Sequence, residues 1–285
     1  MSVVRISAWF CRFGNNVQQI MRAVCVAERL GARFVRFPPG KHYMVRPAFY
    51  KGFALRPDGP GGGRCDDDAP VVAEGRFFYA RELRGFNADT SIAQQRRLAQ
   101  KYAIHEVFRF SVDDGGGASA DTLFYMRGQD VFKKKPHASY VQYPRYFVSK
   151  VLEHRGKRLE DVVRAAATGD PDASVVAQIQ DLRNPLARWW KDAGLVCNDL
   201  SSSLCEAITA MLHCKAIAFG VSTLPIVAVV FSKHLEQVFL PDYFHLDVAA
   251  EGIRSTVVAL PGYTRMGEWR ADEAQTRAML EYEPL

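Results

Sequence analysis

Apolar positions along this chain alternate between short unbroken runs and helical stripes. Residues 3–10 (VVRISAWF) are apolar enough to predict a buried strand. A helical stripe follows over about 17–30, where Ile20, Val24, Ala27 and Leu30 share one face and Gly31 suits the stop. Residues 32–37 return as a strand, ended by Pro38-Pro39-Gly40. Strand, loop, helix and strand in that order favour a parallel sheet, because the helix carries the chain back over the sheet face. Residues 55–69 (LRPDGPGGGRCDDDA) break the pattern and predict a surface loop, since Gly, Pro and Asp cannot hold a core. A short strand is expected within 70–79 and a helix over 92–102 (IAQQRRLAQKY). Residues 113–120 (DDGGGASA) carry no apolar anchor, and the domain boundary is expected there.

The pattern restarts at 121–126 (DTLFYM), a strand that runs into the basic loop RGQDVFKKKPHASYVQYP. Helices are predicted over 145–154 and 159–167, then a strand over 174–180. The turn Asp181-Leu182-Arg183-Asn184-Pro185 leads to a helix at 186–193. Residues 201–212 read as a helix capped by Ser202 or Ser203, with Glu206 in its first turn. Residues 216–219 form a buried strand, and Gly220-Val221-Ser222-Thr223 a tight loop after it. The apolar run 224–232 is a helix or a strand; Pro225 fits a first helical turn. A short strand at 237–240 and an amphipathic helix at 271–282 complete the reading. No internal repeat is visible, but both halves share the α/β rhythm. Two α/β domains with a cleft between them are therefore expected, over 1–115 and 120–268, followed by a C-terminal helix within 269–285. In such sheets ligands bind outside the carboxyl ends of the strands.

Composition narrows the picture. With 48% hydrophobic and 24% charged residues in 285, the chain is neither largely disordered nor collagen-like. Its net charge of +6 suits an anionic ligand such as a nucleotide or sugar phosphate. The basic residues are dispersed and no nucleic-acid recognition motif is present, so no nucleic-acid partner is expected. The six cysteines form no C-x-x-C pair and no zinc-spaced Cys/His cluster, which predicts mostly buried thiols in a reducing compartment, with disulfides between distant pairs as the alternative, and no metal site. The D-x-D letters of Asp66-Asp67-Asp68 fall in the Gly-rich loop, where acidic residues are ordinarily solvated. The segment MSVVRISAWFCRFGNN has no apolar run behind a basic head, and the uncharged stretch between Lys215 and Lys233 is interrupted by Gly220 and Pro225. Neither a signal peptide nor a transmembrane segment is expected, and a cytoplasmic location follows.

Several residues carry candidate chemistry. Arg127 follows directly after a strand, where a guanidinium can fork two donors onto a pyrophosphate; Asp130 is placed to hold it, and Lys133, Lys134 and Lys135 add positive potential. A structural ion pair in a solvated loop reads equally well. Ser222-Thr223 opens an element after a buried strand, a place for either a phosphate or a simple cap. Glu206 suits a ribose contact or, more simply, a capping box with Ser203. Gly14-Asn15-Asn16 reads as a loop between the first strand and first helix. His137, in the basic loop, is the one histidine in a suggestive place. P-loop, H-E-x-x-H and G-x-S-x-G motifs are absent.

Taken in order, these segments resemble a glycosyltransferase family related to the α-1,2- and α-1,6-fucosyltransferases. Its G-N-x-x-x-Q loop is matched by Gly14, Asn15 and Gln19. Its H-I-R-S-G-D-I-F-like motif stands here as Tyr125-Met126-Arg127-Gly128-Gln129-Asp130-Val131-Phe132, followed by Pro136-His137, Tyr140, Gln142 and Pro144. Asp181, Asn184 and Pro185 match an acidic turn before N-P, and Ser222-Thr223-Leu224 a late S-T-F. The resemblance implies a GT-B-like α/β fold of two Rossmann-like domains facing across a cleft. It implies an inverting, metal-independent glycosyltransferase without a cofactor, moving a sugar such as fucose or xylose from a GDP- or UDP-sugar to an oligosaccharide or glycoprotein glycan. Arg127 and Asp130 would be catalytic. Gly14, Asn15, Arg127, Asp181, Glu206, Ser222 and Thr223 would bind the donor, and Asn16, Glu74, Phe77 and Tyr79 the acceptor. Asp130, Glu74 and Glu82 are the candidates for the base. Tyr125 stands where the family has His and Gln129 where it has Gly, which motivates the alternative of a catalytically silent nucleotide- or glycan-binding protein.

Overall fold

The first strand, β1 (Val3–Ile6), is apolar because both of its faces are covered. It leads into α1 (Phe13–Leu30), which Gly31 ends in the left-handed conformation, its N–H bonded to the carbonyls of Ala27 and Glu28. Strands β2 (Phe34–Arg36), β3 (Gly52–Ala54) and β4 (Val71–Gly75) complete a four-stranded sheet of order β3-β2-β1-β4. β2 and β4 lie parallel to β1, as the strand–helix–strand pattern requires, and β3 is an antiparallel edge. Helices α2 (Ala80–Leu83) and α3 (Ile92–Lys101) follow, and α3 packs against α1. The structure, a computed structural model, describes residues 2–62, 68–112, 120–198, 203–248 and 250–284. The linker at 113–119, Cys65, Asp66 and Asp67 lie outside those residues, as does Ser202.

The chain divides into two compact units. Unit one comprises Met1–Gly115, Ile226–Lys233 and Ala249–Glu251, and unit two the remainder. Unit two holds β5 (Thr122–Met126), α4 (Arg145–His154), α5 (Leu159–Ala167), β6 (Val175–Ile179), α6 (Pro185–Asp192), β7 (Cys197–Asn198), α7 (Leu204–Leu212) and β8 (Ala216–Phe219). The next helix, α8 (Ile226–Phe231), packs on α1 and α3 in unit one; β9 (Gln237–Pro241), β10 (Arg254–Val258) and α9 (Glu273–Glu281) return to unit two. α9 packs on α4 and α6 as part of that unit.

The six strands of unit two among the described residues are all parallel, in the order β10-β9-β8-β5-β6-β7. Counted along the chain this is 3-2-1-4-5-6, the order of the doubly wound α/β sheet, which reverses direction between β5 and β8. Its core joins Phe124, Phe147, Trp190 and Trp269, all fully buried. The architecture is therefore α/β, with one mixed and one parallel sheet. Among the described residues no helix is long and apolar enough to cross a membrane.

Three readings of the sequence are corrected. Gly14-Asn15-Asn16 is not a loop but the start of α1, because Phe13 is buried against Phe108 and Phe110 and pulls the helix start forward. The strand expected over 3–10 ends at Ile6, because Ala8 and Phe10 give their backbone groups to Gln19 and Asn16 instead of to the sheet. The cysteines are not mostly buried: of the five described, all free, Cys25 and Cys214 are buried, and burial pushes both thiols up to about 12, whereas Cys197 and Cys205 are half-buried and Cys11 is exposed.

Candidate ligand site at the switch point of the parallel sheet

The carboxyl ends of β6, β5 and β8 lie side by side, and their loops are tied together by named contacts. β5 runs straight into Arg127-Gly128-Gln129-Asp130, with one turn of 3-10 helix over Gln129–Phe132. No α-helix starts there, so no α-helix N-terminus supplies donors for an anion at this loop. Gly128 is required by close packing: a Cβ there would overlap the Cβ of Asp181 and sit 3.0 Å from its backbone nitrogen. Gln129 holds φ 54°, left-handed for a non-glycine residue and a local strain.

Hydrogen bonds stitch the β5 and β6 loops. The Gly128 N–H donates to Gln180 Oε1 at 3.0 Å and the Gln129 N–H to Asp181 Oδ2 at 3.2 Å. Asn184 Nδ2 donates to the Arg127 carbonyl at 2.8 Å while its Oδ1 caps α6. The Arg183 guanidinium beside Asp181 holds that carboxyl below its ordinary pKa, helped by the Arg183 and Gln129 N–H groups. Asp181 is thus a brace between two loops, its oxygens already engaged by Arg183 and Gln129.

Arg127 links this brace to the β8 loop. Its Nη1 donates to the Val221 carbonyl at 2.8 Å, its Nη2 to Asp130 Oδ2 at 3.0 Å, and its guanidinium carbon lies 4.0 Å from the centroid of the Tyr140 ring. Held on three sides, the side chain keeps 15% exposure. A guanidinium has five N–H donors, and two of these are used. The rest stand at the point where the strand order reverses, the place where doubly wound sheets bind ligands. Lys133, Lys134, Lys135 and His137 are exposed in the same loop. His137 Nδ1 accepts from the Ser139 N–H at 3.2 Å.

The other expected site residues are placed as follows. Ser222 is buried in the β8 loop, its hydroxyl facing the Leu224 N–H at 3.4 Å, and Thr223 beside it is half-buried. α8, after it, is only six residues long, so it offers no extended helix dipole to a phosphate. Glu206 closes a capping box: its Oε2 accepts from the Ser203 N–H at 2.5 Å and Ser203 Oγ accepts from the Glu206 N–H at 3.3 Å. In unit one, Gly14 and Asn16 are buried in α1 and Asn15 is half-buried. Gln19 spends its amide on Phe10, Ala8 and Arg76, and so pins the chain after β1 to the chain after β4. Glu74 pairs with Arg5 at 2.5 Å. Phe77 is fully buried beside Phe86, so its ring faces the core and not a sugar. Tyr79 keeps an exposed ring, edge-on to Phe10 at 5.3 Å and capped by Arg81 at 5.1 Å. Glu82 Oε2 accepts from the Phe78 and Tyr79 N–H groups at 3.0 and 3.2 Å.

Structure thus gathers Arg127, Asp130, Asp181 and the Ser222 loop, together with Tyr140, Gln180 and the Val221 carbonyl, whose roles no spacing announced. Among the described residues no three His, Cys, Asp or Glu side chains gather as a metal would require. Searches of protein families, curated proteins and solved structures give no match to this chain.

Proposed function

We propose that the protein is a glycosyltransferase that uses a nucleotide-diphosphate sugar, with the diphosphate bound at the β5/β8 switch point. The observation that carries this reading is Arg127, fixed by Val221, Asp130 and Tyr140 with N–H donors left over. In the transfer, an acceptor hydroxyl attacks the anomeric carbon from the face opposite the leaving group. The bond from that carbon to the diphosphate oxygen breaks, and the acceptor proton passes to a base. Charge then grows on the leaving diphosphate, where a preorganised guanidinium does most to lower the barrier. Asp130 acts as a positioning residue, since its carboxylate orients Arg127. The β8 loop lies next to the diphosphate in this reading. The donor nucleotide is GDP or UDP and the acceptor a glycan.

The test is calorimetric titration with GDP, UDP and their sugars, followed by transfer assays in EDTA. Removing a guanidinium that forms charge-assisted bonds to a diphosphate is expected to weaken binding at least ~10-fold in Arg127→Ala. An Arg127→Ala protein with unchanged affinity and turnover overturns the assignment. Activity that vanishes in EDTA and returns with a divalent ion overturns its metal-independent form. A second reading, a binding protein without turnover, is favoured by one observation: Glu74 and Asp130, two of the three candidate bases, are ion-paired to arginines. Nucleotide binding with no product from any sugar nucleotide would select it.

A further inference from the structure

His137 lies in the loop between β5 and α4 and has no part in the transfer reading above. The chain makes a tight turn over 137–140, closed by the Tyr140 N–H donating to the His137 carbonyl at 2.9 Å. The second residue of the turn anchors it. The Ala138 carbonyl accepts from the Gly267 and Trp269 N–H groups at 3.0 and 3.1 Å. Trp269 is fully buried, and its Nε1 donates to the Val131 carbonyl at 2.9 Å. The turn is therefore pinned to the core of unit two, although His137 itself is exposed.

The ring is held as well. The Ser139 N–H donates to His137 Nδ1 at 3.2 Å, so that nitrogen is the acceptor and the ring proton sits on Nε2. The imidazole packs against Tyr140, with ring centroids 5.1 Å apart. Tyr140 in turn carries the Arg127 guanidinium, whose carbon lies 4.0 Å from its centroid. Imidazole and guanidinium thus border one ring, close enough to share a single diphosphate through bonds of ~2.9 Å each. Nε2 makes no hydrogen bond to a described residue. The exposed ring therefore offers one donor in a set tautomer beside Arg127. A polar group fixed before its ligand arrives adds affinity at little cost in side-chain entropy.

We propose that His137 is a second contact to the diphosphate, its Nε2–H donating to a phosphate oxygen beside Arg127. The proposal rests on the switch-point reading, and its test separates the two. Full-length wild type, Arg127→Ala and four His137 variants are titrated with GDP and UDP by calorimetry, after thermal melts show each variant folded. His137→Ala is expected to weaken binding of the preferred nucleotide ~10-fold, the loss typical of one hydrogen bond to a charged group. His137→Asn keeps an acceptor for the Ser139 N–H, and His137→Phe keeps a ring against Tyr140. Neither has a donor at the Nε2 position, and both should lose as much affinity as His137→Ala. The amide nitrogen of Gln falls about where Nε2 does, so His137→Gln should stay within ~3-fold of wild type. A residue that only shaped the turn or packed on Tyr140 would give the reverse order. Wild-type affinity in His137→Asn or His137→Phe overturns the proposal, as does a His137→Gln protein as weak as His137→Ala. If either result comes with a weakened Arg127→Ala protein, the diphosphate reading stands without the histidine. A wild-type protein that binds neither nucleotide removes both.

Discussion

Replacing Asn16 with Ala separates a scaffold residue from a ligand contact. Asn16 is 2% exposed. Its Nδ2 donates to the Phe10 carbonyl at 3.0 Å and to Gln19 Oε1 at 3.1 Å. Its Oδ1 faces His42 Nε2 at 3.0 Å, and the Met44 N–H donates to His42 Nδ1 at 3.3 Å. With Nδ1 accepting, the ring proton sits on Nε2 and His42 is the donor to Asn16. Truncation leaves the Phe10 carbonyl and the His42 Nε2–H without these partners, while Gln19 Oε1 still accepts from the Phe10 N–H at 2.9 Å. Two stranded groups at ~1–3 kcal/mol each put the loss at about 2–6 kcal/mol. For a unit of this size that lowers the midpoint by at least about 6 °C. Burial also lowers the His42 pKa, so the native ring resists a proton that the unfolded chain accepts near pH ~6.5. This part of the stability is whole above pH ~6.5 and shrinks as the pH falls below it. Asn16→Asp sets a carboxylate against His42, favours the protonated ring and should flatten that acid slope. Urea and thermal melts between pH 5 and 8 measure both effects. An Asn16→Ala protein within ~0.5 kcal/mol of wild type, the range of an ordinary surface change, refutes the reasoning and returns Asn16 to the ligand contacts.

Other substitutions probe the remaining claims. Gly52→Ala, which meets the Val35 carbonyl and forces φ 118° on an L-residue, should cost at least ~2 kcal/mol in urea melts. Ser203→Ala removes the cap of α7 and should cost ~1 kcal/mol, with no loss of nucleotide affinity if Glu206 serves only the capping box. The Asp181 carboxyl, lowered mainly by Arg183, contributes stability that is present above its unfolded pKa of ~3.9 and is lost as the pH falls below it. Asp181→Asn should therefore flatten the acid limb of a stability profile measured between pH 3 and 5. Arg127→Lys keeps the charge but not the fork, and its nucleotide affinity should fall toward that of Arg127→Ala.

The elements legible in the sequence are those whose apolar pattern is long or complete. α4, α5 and β8 begin and end where their stripes do, and Gly31 and Ser203 mark real helix ends. β10 escaped because its residues are mostly exposed on the edge of the sheet, so Arg254-Ser255-Thr256 give no apolar signal. β3 is three residues long and is held in place by its neighbour's backbone. At the candidate site, Arg127 and Asp130 were legible as a pair because they are three apart in one loop. Tyr140 and the Val221 carbonyl were not, since a cation–π contact and a carbonyl partner 94 residues away depend on which strands become neighbours. Phe77 misled for a related reason: Phe77-Phe78-Tyr79 is an aromatic run in sequence, but only its last ring stays exposed.

The excursion of α8 has a consequence for how the protein is made. Phe231 sits edge-on to Phe108 at 5.7 Å, and Arg96 Nη1 donates to the Val229 carbonyl at 3.0 Å. Unit one therefore lacks part of its interior until residue 233 has been synthesised, long after its own sheet has left the ribosome. Its first 115 residues must wait with the faces of α1 and α3 uncovered while most of unit two emerges. Translation from the N-terminus does not produce two independent folding events in sequence. A chain that ends at residue 115 therefore lacks α8 and the cover it gives α1 and α3.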